Sequence, residues 1–143
     1  MRAIVLDSFA LIAYFRGEPC GARVKDLLHK AGKADQPLHM SEINYAEVKY
    51  MILRKDGKAA WDKATEVLPA LPIKFHPGTR ELSDLAADFK SRFSISLADA
   101  FAAALTKALN AELVTGDPEF QALHGEIKIT LHVHDKIDPA NNG

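Results

Sequence analysis

The sequence predicts an α/β protein, a three-layer α/β/α sandwich with a mostly parallel central sheet. Two observations carry this expectation. Ala3-Ile4-Val5-Leu6 is continuously apolar and of strand length, the pattern of a central strand buried on both faces. After it, strand-like runs alternate with helix-length amphipathic segments, an order that gives parallel strands with helices on both faces.

The first strand stops at Asp7-Ser8, and Phe9 to Phe15 forms a short apolar helix, followed by a break around Gly17 to Gly21. Val24, Leu27, Leu28 and Ala31 mark an amphipathic helix that Gly32 ends. Gln36 to Met40 is a second strand, which Pro37 demotes to an edge or a strand start. Ser41 caps a helix running to about Lys55, before Gly57, with Ile43, Ala46, Tyr50, Met51 and Leu53 as its apolar residues. Ala59 to Leu68 is a further helix, ended by Pro69, and Pro72 to Phe75 is a short strand. Thr79 opens a helix to about Phe93, with Leu82, Leu85, Ala86 and Phe89 inward.

Ser94 to Glu119 organises the remainder. Ser96 is an N-cap, and Leu97, Phe101, Ala104, Leu105 and Ala108 give one narrow, Ala-rich face to lie against a sheet. Asn110 suits the helix end, and Ala111 to Thr115 is a buried strand. Gly116 then turns the chain into Asp117-Pro118-Glu119, with Asp as N-cap and Pro at the first helical position. Finally, Ile127, Ile129, Leu131 and Val133 alternate with Lys128, Thr130 and His132, the pattern of a sheet-edge strand. Residues 1–137 are expected to form a single domain, and Asp138 to Gly143 a polar tail.

Composition narrows the function. With 18 Lys+Arg against 19 Asp+Glu the formal net charge is −1, so a polyanion would have to meet a local basic patch rather than a basic protein. The lone Cys20 forms no internal disulfide, which fits a reducing compartment, and its expected role is inert. No apolar run reaches the roughly 18 residues a membrane span needs. Met1-Arg2 leads straight into a strand rather than a signal peptide. The expectation is a soluble, cytoplasmic protein. GxGxxG and P-loop motifs do not occur.

Four acids stand where the backbone changes direction. Asp7 follows the first strand and Asp117 a later one, the strand ends at which open α/β sheets bind ligands. Asp99 lies in the first turn after Ser96, and Glu47 lies on or beside the apolar side of its helix, where a carboxylate needs a partner. Singly, Asp99 also suits a capping box and Asp117 an ordinary N-cap, so the functional reading rests on the set. Carboxylates that converge repel one another unless a cation intervenes. No Arg or Lys stands within two residues of Asp7, Asp99 or Asp117. A hard divalent ion, Mg²⁺ or Mn²⁺, would meet that need with oxygen ligands.

Ile4-Val5-Leu6-Asp7-Ser8 resembles the first motif of PIN-domain nucleases. So do the helix carrying Ala46-Glu47-Val48, the helix start Leu97-Ala98-Asp99-Ala100-Phe101, and Leu113-Val114-Thr115-Gly116-Asp117-Pro118-Glu119-Phe120. The resemblance covers essentially the whole chain in length, order and spacing. Within that family the chain looks most like the VapC-like endoribonuclease toxins of type II toxin–antitoxin systems. The resemblance implies a Mg²⁺- or Mn²⁺-dependent cut in RNA, with Asp7, Glu47, Asp99 and Asp117 as the acidic quartet around the metal. It implies that Ser8 and Thr115 orient carboxylates or water. Glu119 falls where many relatives have an additional Asp, and as a second helical residue it also suits the helix dipole. The implied partners are an RNA substrate, a cognate antitoxin protein and a second copy in a homodimer.

Arg16, Lys49, Arg54 and Lys55 are candidates for holding RNA phosphates, with a solvated helix face as the alternative for each. His132 and His134 share a spacing that permits a metal pair, but exposed edge-strand histidines are the better reading. Trp61 is expected in the core or at a subunit contact. Two other functions fit an acidic pocket: a non-catalytic module that binds an Arg-bearing partner, and a metal-dependent phosphatase. An aspartyl-phosphate phosphatase would want a second Asp two residues after Asp7, where Phe9 stands.

Overall fold

The computed structural model describes residues 2–132. Five strands, β1 (Ile4–Leu6), β2 (Leu38–Ser41), β3 (Ile73–His76), β4 (Glu112–Thr115) and β5 (Lys128–Leu131), form one sheet in the order β3-β2-β1-β4-β5. Every pairing is parallel, with Val5 opposite both His39 and Leu113. Between the strands lie α1 (Ser8–Arg16), α2 (Pro19–Ala34), α3 (Glu42–Asp56), α4 (Lys58–Val67), α5 (Arg80–Arg92) and α6 (Leu97–Ala108), with 3-10 turns at Leu68–Ala70 and Pro118–Leu123.

Because side chains alternate along a strand, neighbouring residues of β1 and β4 feed two different cores. Leu6 and Val114 face Leu11, Val24, Val48 and Trp61 from the α1–α4 layer, while Val5 and Leu113 face Phe89, Phe101 and Leu105 from α5 and α6. Each such fully buried side chain stabilises the fold by about 1.5–3 kcal/mol. The helix starts behave as the sequence predicts. Ser41, Thr79 and Ser96 accept hydrogen bonds from Asn44, Leu82 and Asp99 backbone N–H groups respectively.

Several details differ from expectation. The break after α1 is shorter than Gly17 to Gly21: Gly17 adopts φ +68 as a C-cap, and Pro19 already opens α2. Gly21 is therefore helical. Gly32 does not end α2, which continues to Ala34 and stops at Asp35 with φ 55. Pro37 precedes β2, which lies inside the sheet between β3 and β1, so the proline marks a strand start.

The inward side of α3 is Asn44, Val48 and Ile52. Tyr50 and Leu53 are exposed and Ala46 faces solvent, because the stripe that meets α1 and the sheet runs through Asn44, a polar residue that interrupts the apolar pattern. α6 is likewise no one-faced helix. Ala100 to Thr106 are all buried, while Leu97 and Ala108 are exposed. It is wedged against α5, α3 and the sheet together, and its alanines permit approach on every side. Trp61 is buried against Tyr45, in the core rather than at a surface. β5 is a sheet edge as expected; Val133, His134 and the 138–143 tail lie outside the described residues.

A side chain at Gly21 would strike the Ala13 carbonyl and approach Tyr14 Cα to 2.9 Å, so glycine sets the close packing of α2 on α1. Gly21→Ala is expected to destabilise the protein by about 1–3 kcal/mol in a denaturant titration, despite the better helix propensity of alanine. An unchanged or raised midpoint would show that this approach is not a constraint.

Candidate metal centre

The sheet order places the first strand between two chain directions. From β1 the chain moves outward through β2 to β3, then crosses back to β4 on the other side of β1. Between β1 and β4 lies the topological switch point, where the carboxyl ends of strands leave a crevice. Asp7 follows β1 directly, and Asp117 follows β4 after Gly116. The starts of α3 and α6 bring Glu47 and Asp99 to the same end.

Asp7 is 1% exposed and both of its oxygens are engaged. Oδ1 accepts from the Ala10 N–H at 2.8 Å, capping α1, and Oδ2 accepts from the Thr115 hydroxyl at 2.5 Å. Thr115 Oγ1 in turn accepts from the Asp117 N–H at 2.9 Å, and Asp117 Oδ1 accepts from the Glu119 N–H at 2.9 Å. Thr115 thus joins two acids that follow adjacent strands in one hydrogen-bond network. Asp99 is half-buried in the first turn of α6, with its N–H on Ser96 Oγ.

One oxygen from each of Asp99, Asp117 and Glu119 lies within 4.8 Å of the others. Asp7 and Glu47 stand beside this trio rather than in it. Their charges still reach it, since Asp7 interacts with Asp99 and Asp117, and Glu47 with Asp99. Among the described residues, no ion pair involves any of these five acids. The positive ends of α1, α3 and α6 point into this region and offset part of the charge. A trio of carboxylate oxygens without a basic partner fits a hard divalent cation by its donor chemistry.

The electrostatics follow from this crowding. Burial, helped by the Asp99 and Asp117 charges, pushes Asp7 up to about 7, although the bonds from Thr115 and Ala10 oppose it. Burial first, then the Asp117 and Glu47 charges, raises Asp99 to about 6 against the hydrogen bonds of Ser96.

Ser8 is buried, and its hydroxyl donates to the Asn44 carbonyl at 3.3 Å while accepting from Asn44 Nδ2 at 2.9 Å. Asn44 is not singled out by local sequence patterning. Its four-residue spacing from Val48 and Ile52 was the available signal, masked by its polarity.

The basic candidates stand apart from the acids. Arg16 closes the far end of α1, paired with Asp56 at 3.0 Å and Glu18 at 3.1 Å. Lys49, at the middle of α3, lies over the Trp61 ring, while Arg54, over Tyr50, and Lys55 occupy its last turn. Cys20 is buried, and burial raises its thiol to about 11, consistent with an inert residue. His132 is half-buried rather than exposed, and its backbone N–H donates to the Thr115 carbonyl. A cavity of about 480 Å³ opens at the opposite end of the sheet, among Ile4, Leu27, Ala31, Leu38 and His39. Its lining is mainly apolar and contains none of the five acids.

A carboxyl whose folded pKa lies near 7, above its ordinary 3.8, favours the fold when protonated. That contribution is complete below about pH 4 and is lost as pH rises through 7. Asp7→Asn keeps an acceptor for the Ala10 N–H. Without added metal it is expected to stabilise the protein by about 1–4 kcal/mol at pH 8 and to change little at pH 4. Thermal melts at the two pH values check this, and an equal effect at both would contradict it.

No helix among the described residues is long and apolar enough to cross a membrane. No curated protein sequence matches the chain. Solved structures do. VapBC of Salmonella typhimurium bound to DNA aligns with a TM-score of 0.72 at 14% identity, over 91% of this chain and 98% of that one. VapBC-1 of nontypeable Haemophilus influenzae aligns at 0.66 and 21% identity, over 90% and 97%. The sarcin-ricin-loop-cleaving toxin VapC20 of Mycobacterium tuberculosis aligns at 0.65 and 19% identity, over 84% and 94%. These likenesses are to the fold. The family profile for the PIN domain matches residues 4–126, from the first strand through the last of the acids, and the chain belongs to the PIN-domain family.

Proposed function

We propose that the protein is a Mg²⁺- or Mn²⁺-dependent endoribonuclease and the toxin of a toxin–antitoxin pair. The observation that carries this reading is the trio Asp99, Asp117 and Glu119, within reach of one ion at the switch point and without a basic partner. In this reading the trio holds the ion, and Asp7 and Glu47 complete the acidic shell. Thr115 fixes the Asp7 carboxylate and Ser8 steadies the backbone beside it. When bound, such an ion lowers the pKa of an aligned water and stabilises the leaving oxygen of a phosphodiester.

RNA phosphates would meet basic side chains along the helices, of which Lys49, Arg54 and Lys55 are nearer to free than the doubly paired Arg16. The same unpaired acids suit an arginine of an antitoxin as an inhibitory plug. Similarity in fold to toxin–antitoxin complexes supports a protein partner of that kind. A homodimer would cover exposed apolar side chains such as Tyr50, Leu53 and Val67.

Incubation with total RNA tests the enzyme reading. Wild type is expected to cleave in Mn²⁺ and not in EDTA, and Asp99→Asn to lose cleavage by about 100-fold or more while its melt remains cooperative. Equal cleavage in EDTA excludes the metal mechanism. Millimolar Mg²⁺ or Mn²⁺ is also expected to raise the wild-type melting temperature, since binding favours the native state. A protein that neither cleaves nor responds to metal would be the non-catalytic Arg-binding module.

A further inference from the structure

Asn44 lies in the first turn of α3 and is fully buried. Its side-chain amide donates to Ser8 Oγ at 2.9 Å and to the Ala98 carbonyl at 3.1 Å. Ser8 directly follows Asp7, and Ala98 directly precedes Asp99. One carboxamide therefore spans from the side chain that follows the first acid to the backbone that precedes the third. The two anchors belong to different helical layers, α1 on one face of the sheet and α6 on the other.

The remaining atom, Asn44 Oδ1, is buried with no hydrogen-bond partner among the described residues. An unpaired buried acceptor opposes folding. Packing alone thus does not account for an asparagine here, since a leucine of similar size would extend the Val48–Ile52 stripe without that cost. What asparagine supplies, and leucine does not, is two directed N–H donors.

We propose that Asn44 is a positioning residue of the metal centre, a clamp that sets the spacing of Asp7 and Asp99 before any ion arrives. The inference rests on the metal-centre reading above and deepens it. Charge repulsion within the acidic shell pushes the starts of α1 and α6 apart. The amide resists that spread through two bonds made to neutral groups, so it adds no charge that would compete with a cation. A centre held open to the right width binds its ion without further ordering, whereas a loosened one needs more ion to close it.

The test uses Asn44→Leu and Asn44→Ala in the full chain, with Mn²⁺ binding followed by calorimetry and stability by thermal melts in EDTA. Asn44→Leu is expected to melt at or above the wild-type temperature yet to bind Mn²⁺ about 10–100-fold more weakly, as for groups that orient metal ligands. Its RNA cleavage should recover at raised Mn²⁺ with the KM for RNA unchanged. A purely structural role would instead lower stability and metal affinity together. Ser8→Ala, which removes one anchor, should give a smaller loss, and combining it with Asn44→Ala should add little to Asn44→Ala alone. Wild-type Mn²⁺ affinity in a folded Asn44 variant, or in Ser8→Ala if neither Asn44 variant folds, overturns the clamp and leaves the metal centre standing. Wild-type protein that binds no Mn²⁺ overturns the metal centre itself, and the clamp with it.

Discussion

A carboxylate at the end of a central strand cannot reach bulk water, and the rest of that end of the sheet is arranged around that constraint. Asp7 is enclosed by the first turn of α1 and the hydroxyl of Thr115, which satisfy its oxygens without neutralising it. Hydrogen bonds to neutral donors and the positive ends of three helices lessen the cost of the charge but do not remove it. Burial consequently pushes its pKa up to about 7. Further carboxylates at the same crevice sharpen the imbalance, and a cation is the simplest species that resolves it.

The architecture explains why the acids meet there. Parallel strands place all their carboxyl ends at one edge, and a helix that follows a strand starts at that edge. Caps and first turns therefore gather in one region: Asp7 before α1, Ser41 before α3, Ser96 before α6 and Asp117 before the last 3-10 turn. The residues that terminate strands and begin helices are those whose short polar side chains suit caps. The fold's own punctuation thus supplies the groups that a metal centre needs.

Two departures from simple amphipathic patterning serve the same end. α6 is buried around most of its circumference, and its alanines allow the start of that helix to approach both the sheet and α3. α3 buries Asn44 in place of an apolar residue and turns Tyr50 and Leu53 outward. At their far ends α1 and α3 are joined again by Arg16 and Asp56, so the two helices run side by side with both starts at the acids. The 480 Å³ cavity at the opposite edge, by contrast, has a mainly apolar lining and contains none of the five acids.

The sequence by itself determined what depends on near neighbours along the chain. Strand runs, helix caps, the turn at Gly116-Asp117-Pro118 and the position of each acid at a strand end or helix start all follow from local periodicity and capping chemistry. The α/β/α layering follows from their order. The tertiary structure decided what depends on groups far apart in the chain. It put Glu119 in the oxygen trio beside Asp99 and Asp117, left Asp7 engaged with Thr115 beside that trio, and gave Asn44 two partners, Ser8 and Ala98, respectively 36 and 54 residues distant. Periodicity reports which side of an element is buried, but not what lies opposite. A polar residue on an inward stripe therefore reads as a defect until its partners from other elements are in place.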